Sequence, residues 1–308
     1  MMESDWRLAS KRNALQTRAA MIRAIRSFFA DRDYIEVETP TRIPGPAPEA
    51  HIDAIPSDGW YLHTSPELCM KRLLAAGYPR IFQITKCFRG AERGSHHIPE
   101  FTLLEWYESG IDYMRMMEVC EELILSVARD LGHEEDITYR GRRIAMDRPW
   151  ERLPVREAFK RYSPLSMEEA LERDRFDEIM IGEIEPRIGA EGPVFLYDYP
   201  VALGALARVK QTDPRVAERF ELYMGGLELA NAFSELTDAV EQRVRFEEEL
   251  KSRRASGRAT YPMPERFLAT LPAMPESSGI ALGVDRLAMI FTDRASIDDV
   301  VTFTPEDL

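Results

Sequence analysis

Cysteine is scarce in this sequence, with three in 308 residues, at Cys69, Cys87 and Cys120. They are scattered and show no paired metal-ligand spacing, which argues against a disulfide framework or a zinc site and fits the reducing cytosol. Long apolar runs are missing too, since no stretch approaches the roughly 20 apolar residues of a membrane span. Met1 to Asn13 carries Glu3, Asp5, Arg7, Lys11 and Arg12 where a secretory leader has its apolar segment. Neither a signal peptide nor a membrane span is expected. Positive charge is also in short supply: 40 Lys and Arg stand against 53 Asp and Glu, and the net charge of -13 repels a phosphate backbone. That balance argues against tRNA as a partner unless a local patch provides for it. No internal repeat, low-complexity tract or flexible linker interrupts the chain, so residues 1–308 are expected to form a single domain.

What is present, 44% hydrophobic and 30% charged residues, fits a globular catalytic domain. From Leu15 through Ala19, Ile22, Ile25 and Phe29 apolar residues recur three and four apart, predicting one face of an amphipathic helix. The alternating run Tyr34 to Thr39 predicts a strand ended by Pro40. Pro66 to Ala75 predicts a helix with Pro66 in its first turn. Ile81 to Phe88 and Glu100 to Tyr107 predict two strands joined by a polar loop, and Met114 to Asp130 a helix. Ser166-x-x-Glu169 is a capping box opening a helix to about Arg173, within a region, Ile137 to Pro193, that reads as a helical insertion. Strands return at Val194 to Tyr197 and Arg219 to Met224, followed by a helix at about Asp238 to Arg254 and a strand-helix unit from Ile280. Helices interspersed with hairpin-like strand pairs imply an α+β fold, an antiparallel β-sheet flanked by helices.

Three segments carry chemistry. In Phe82 to Tyr107, Arg89 at one strand end can grip phosphate bidentately and Phe101 at the start of the next offers a face to a purine. The same residue types also describe a surface hairpin with a core aromatic. In Phe220 to Glu235, a two-residue turn at Met224-Gly225 pairs Tyr223 with Gly226 and sets Glu221 opposite Glu228. Magnesium between opposed carboxylates stabilises such an arrangement, although both can equally stand on a solvated face. Glu235, in a mostly apolar run, calls for a cationic partner. In Gly279 to Ile290, small residues let strand and helix pack closely beside a ligand, and Arg286 in the first helical turn reaches toward phosphate.

These segments, in this order, resemble the three motifs of the class II aminoacyl-tRNA synthetases. Thr64-Ser65-Pro66-Glu67-Leu68, Pro99-Glu100-Phe101-Thr102 and the run Glu228 to Glu235 resemble the lysyl branch. Within that branch the chain resembles the lysyl-synthetase-like ligases that attach β-lysine to a lysine of translation elongation factor P. The residues that carry this are Met70-Lys71-Arg72-Leu73-Leu74, Glu105-Trp106-Tyr107, Glu228-Leu229-Ala230-Asn231, and Ala281 where lysyl synthetases place glycine. The resemblance runs from about Leu15 to Phe303. It implies the class II synthetase catalytic core, with no room ahead of the first motif for an anticodon-binding barrel. It also implies ATP and Mg2+, lysine or (R)-β-lysine activated as an adenylate, elongation factor P as acceptor, and a cytoplasmic homodimer. A truncated lysyl-tRNA synthetase charging a tRNA is the alternative, and exposed Phe28 or Phe29 would mark the dimer face.

Carried over residue by residue, the resemblance assigns Arg89 to the ATP α-phosphate, Phe101 to adenine, and His97 and Arg286 to the outer phosphates. Glu221 and Glu228 would carry magnesium, while Glu92, Leu229 and Gly283 complete the nucleotide site. Arg89 and Arg286 are the catalytic pair. Ser65, Pro66 and Glu67 meet the substrate, Glu67 through its amino group, and Tyr107 and Asn231 line the pocket. Glu235 pairs with the side-chain ammonium, and the Ala281 methyl shapes the pocket, a difference that is worth about 1 to 3 kcal/mol of discrimination. The chain departs from the family pattern in Gly90-Ala91-Glu92, where Asn-Glu is expected, and in Ile98, where asparagine is expected.

Overall fold

The computed structural model describes residues 3–133 and 135–308; Met1 and Met2, at the head of the charged N-terminal stretch, and Glu134 lie outside the described residues. Eight strands form the main sheet: β1 (Ile35–Glu36), β2 (Arg80–Phe88), β3 (Glu100–Ser109), β4 (Glu151–Pro154), β5 (Val194–Pro200), β6 (Val216–Met224), β7 (Leu227–Ser234) and β8 (Ser277–Gly283). Their spatial order is β1-β2-β3-β8-β7-β6-β5-β4. The inner pairs are antiparallel, and only the edge strands β1 and β4 run parallel to their neighbours. This is the expected α+β sheet, with β8 inserted between the two hairpins.

One face of the sheet is covered by helices α1 (Arg12–Ala30), α3 (Tyr113–Asp130) and α5 (Val284–Phe291); α2 (Glu67–Ala75) and α4 (Ala239–Ala255) pack elsewhere, around a separate core cluster containing Met70, Leu74 and Phe246. Alternation along β3 explains how one strand serves both core and site. Leu104 and Trp106 are fully buried in the helical layer, while Phe101, Leu103, Glu105 and Tyr107 line a cavity on the other face. The buried stripe of α1 is Ala14, Met21, Ala24, Ile25, Phe28 and Phe29, one step round from the expected face, and Ala19 is exposed.

Several expectations need correction. Phe28 and Phe29 are buried within their own chain, Phe29 stacking on Phe82 at 4.6 Å, so they mark no exposed face. The strand expected over Tyr34 to Thr39 is only Ile35–Glu36, pairing in parallel with Ile81 and Phe82 of β2. Pro66 is the N-cap of α2 rather than a first-turn residue. The region from Ile137 to Pro193 is not simply helical. It opens with the hairpin Asp136–Tyr139 and Arg142–Ala145, contributes β4 to the sheet edge, and only then forms Val155–Tyr162 and the capped helix Met167–Glu172.

The β6–β7 turn also differs from expectation. Met224 pairs with Leu227 and Tyr223 with Glu228, so the turn residues are Gly225 and Gly226, both with positive φ. That conformation suits glycine at both central positions of a tight hairpin. A bulge then shifts the register, and Glu221 pairs with Asn231 rather than Glu228.

Candidate active site

Four strands carry one row of residues across the sheet. Glu105 lies opposite Ala281, Ala281 opposite Asn231, and Asn231 opposite Glu221. Tyr107, Gly279 and Phe233 form the next row on the same face. Gly279 tolerates no side chain, since a Cβ there would lie 2.2 Å from Tyr107 Cε1 and 2.5 Å from Glu235 Oε1. The two rows floor a cavity of about 300 Å³ that also takes in Ser65, Glu67, Arg89 and Glu49.

At one end the cavity is acidic. Lys71, buried on α2, places Nζ 2.5 Å from Glu67 Oε1 and 2.5 Å from Glu235 Oε2. Glu235 Oε1 is buried with no hydrogen-bond donor. Glu105 accepts from Ser65 Oγ at 2.6 Å and from the Tyr107 hydroxyl at 3.0 Å. Burial pushes the Glu105 carboxyl up to about 8, with the Glu67 charge adding to the effect. Burial likewise pushes Glu235 up to about 8; Lys71 opposes the shift, and Glu67 and Glu105 reinforce it. Glu67 and Glu235 thus share one ammonium, Glu105 stands in the same cavity with only hydroxyl donors, and protons make up the deficit. A ligand bearing ammonium groups supplies the missing positive charge.

The other end is basic and aromatic. The Arg89 guanidinium lies 5.0 Å from the Phe101 ring centroid, and its buried Nε has no acceptor. Among the described residues no carboxylate lies within ion-pair distance of Arg89, which leaves its fork open to an anionic ligand. Arg286 is held across the cavity, donating to Glu228 O at 2.7 Å, His96 O at 3.3 Å and His97 Nε2 at 2.7 Å. Burial, then Arg286, lowers the His97 pKa, so the neutral imidazole accepts that bond. Asp285 ties the parts together by accepting from Thr102 N at 2.6 Å and pairing with Arg18 of α1.

The proposed metal carboxylates differ in availability. Glu221 Oε2 accepts from Tyr199 at 2.5 Å and Tyr223 at 2.7 Å, and Oε1 from Arg219 at 2.6 Å. Glu228 is more open, its side chain 41% exposed and 3.5 Å from Arg286 Nη1. A cation fits Glu228 on that ground, with Glu221 contributing charge from behind its three donors. Among the described residues no three His, Cys, Asp or Glu side chains form a metal cluster. The donor set therefore suits a hard cation held mainly by phosphate oxygens and water.

Of the residues singled out in the sequence, Ser65, Glu67, Arg89, Glu92, His97, Phe101, Tyr107, Glu228, Leu229, Asn231, Ala281, Gly283 and Arg286 line this one cavity. Glu92 reaches it after a left-handed turn at Ala91, φ 60, and Ile98 lines it as well. Pro66, Glu221 and Glu235 are not lining residues; Pro66 caps the helix that carries Glu67, and Glu235 lies behind Gly279. Sequence reasoning gave no role to Lys71, Glu105, Glu49 or Arg219. Period-2 alternation from Phe101 through Leu103 to Tyr107 was the available signal for Glu105.

The model for class II tRNA synthetases (D, K and N) matches residues 4–307. The elongation factor P--(R)-beta-lysine ligase of Erwinia tasmaniensis is 39% identical, over 98% of both chains. That of Proteus mirabilis is 40% identical over 97% of both. The lysine--tRNA ligase of Moorella thermoacetica is 39% identical over 93% of this chain but 64% of its own length.

Proposed function

The chain belongs to the class II tRNA synthetase family, and from that premise we propose that it is an ATP-dependent, AMP-forming ligase. It activates (R)-β-lysine, or lysine, as the adenylate and transfers it to a lysine side chain of translation elongation factor P. The observation that carries this reading is the acidic end of the cavity, where Glu67 and Glu235 share Lys71 and Glu105 adds a third carboxyl, with the open Arg89 and Phe101 at the other end. A substrate with two ammonium groups and one carboxylate matches that polarity. Identity alone does not separate the two kinds of relative. The match along 97 to 98% of both chains in the two ligases, and Ala281 between Glu105 and Asn231, favour the protein-modifying activity over tRNA charging.

In this reading the amino groups sit among the carboxylates, which turns the substrate carboxylate toward Arg89. The carboxylate attacks the α-phosphorus of ATP, Arg89 takes up charge gathering on that phosphate, and pyrophosphate leaves. Phe101 stacks on adenine, Leu229 and Gly283 supply backbone surface beside it, and His97 with Arg286 holds the outer phosphates. Mg2+, when bound at Glu228, neutralises phosphate charge. The adenylate is itself a strong electrophile, and holding the acceptor amine in line is the remaining task.

The same proposal reads residues 1–308 as one catalytic domain acting in the cytoplasm as a homodimer. Three free cysteines support the compartment, and no described helix is long and apolar enough to cross a membrane. Intact-mass analysis of elongation factor P after incubation with the protein, ATP, Mg2+ and either lysine isomer tests the function, with total tRNA as competing acceptor. A mass gain of one amide, greatest with β-lysine, is the expected result. Charged tRNA with unmodified protein would replace this reading with the synthetase.

A further inference from the structure

We propose that Glu49 is the general base of the transfer step, taking a proton from the ammonium of the incoming acceptor lysine. The inference rests on the ligase reading above and adds a residue to it. Glu49 lines the cavity, half-buried, on the loop between the short strands Arg42–Ile43 and Pro56–Ser57, and among the described residues no side chain or backbone group hydrogen-bonds or ion-pairs with its carboxylate. The loop itself is held firmly. Arg253, fully buried on α4, donates to Glu49 O and Ile52 O at 2.7 Å each and to Asp53 Oδ1 at 2.6 Å, and Ala50 N donates to Glu249 Oε2 at 2.6 Å. A carboxylate left unpaired on a backbone fixed by a buried arginine is positioned for something that arrives from outside.

Its charged surroundings locate that event. Arg89 at the end of β2 and Glu67 at the start of α2 line the same cavity as Glu49, and together with Glu249 on α4 and Arg219 on β6 they are the charges that act on its carboxyl. In the ligase reading Arg89 meets the α-phosphate and Glu67 the substrate amino group, and Glu49 lines the cavity they share, in which the acyl-phosphate bond forms. Burial, reinforced by Glu67 and Glu249 and opposed by Arg89 and Arg219, pushes its carboxyl up to about 7, near the pH at which a base must work.

One ammonium proton passes to the Glu49 carboxylate, and the freed amine lone pair forms the C–N bond to the adenylate carbonyl carbon. The C–O bond to phosphate breaks, its electron pair leaves with AMP, and the second nitrogen proton goes to the departing phosphate or to water. No oxidant, reductant or further reactant is needed.

Two half-reactions measured on the same preparations test this: amino-acid-dependent exchange of pyrophosphate into ATP, and single-turnover transfer from preformed adenylate to elongation factor P between pH 6 and 9. In the unsubstituted protein transfer levels off above about pH 7. In Glu49→Gln it is expected to fall about 100-fold further than exchange at pH 7.5, a typical general-base contribution, and to climb steadily to pH 9 as free amine accumulates. Glu49→Asp is expected to restore the plateau in part. Equal losses in both half-reactions, or transfer that keeps its plateau in Glu49→Gln, would overturn the assignment. Absence of exchange in the unsubstituted protein would instead overturn the ligase reading and this inference with it.

Discussion

Lys71 Nζ lies 2.5 Å from Glu235 Oε2, with both side chains inaccessible to solvent. Burial works against the Lys71 charge, but Glu235 and Glu67 outweigh it and raise its pKa. The site meant for a substrate ammonium is thus already half-compensated by the chain itself. Replacing Lys71 by Met leaves buried carboxylates without their cation, at an expected cost of about 3 to 5 kcal/mol. Urea denaturation checks this, and Lys71→Met combined with Glu235→Gln is expected to recover part of the loss. A single variant as stable as the parent would mean the pair contributes nothing.

The raised carboxyls make amino-acid binding pH-dependent. Glu105 and Glu235 titrate near 8 in the empty site, against an ordinary glutamate value of 4.5. Between those values the folded protein holds protons the unfolded chain has lost, so these groups make stability fall as pH rises from about 5 to 8. Ammonium groups of the ligand favour the ionised forms and release the protons. Affinity for β-lysine is expected to rise about tenfold from pH 6 to 7 for each carboxyl that ionises on binding. Calorimetry in buffers of different ionisation enthalpy would show proton release, and its absence contradicts the assignment.

Gly279 and Ala281 occupy the same face of β8, and opposite changes there have different outcomes. Gly279→Ala drives a methyl into Tyr107 and Glu235, and we expect a loss of roughly 1 to 3 kcal/mol with displacement of Tyr107 and loss of amino-acid binding. Thermal unfolding and exchange kinetics test it. Ala281→Gly opens space between Glu105 and Asn231, and the ratio of kcat/KM for β-lysine and lysine is expected to change by roughly tenfold. An unchanged ratio would show that the methyl does not read the substrate backbone.

Arg89→Lys keeps a positive charge but loses the planar fork and its contact with Phe101. Exchange is expected to fall about 100-fold, in kcat more than in KM for the amino acid. A pure rise in the KM for ATP would assign Arg89 to binding rather than to the transition state.

What the sequence determined by itself was mostly local. Hairpin strands show their alternation, and Ser166 with Glu169 forms the capping box that its spacing announces. The resemblance of the motif segments to the class II synthetases was sufficient to pick out thirteen residues that line one cavity, several of them, such as Phe101, Tyr107, Asn231 and Ala281, on strands whose side chains alternate by a fixed rule. Non-local pairing was not visible in this way. The turn at Gly225 and Gly226 carries the partner of Glu221 from Glu228 to Ala230, and the β6–β7 bulge moves it one further to Asn231, since one inserted residue shifts every partner beyond it. Phe28 and Phe29 form an apolar pair in sequence, and only the position of β2 and β3 against α1 decides that this chain buries them. Lys71 reads as an ordinary helix lysine until the fold carries Glu235, 164 positions later, against it. Whether a charged side chain is solvated or buried against a partner depends on which distant segments close over it, and that is decided by tertiary structure alone.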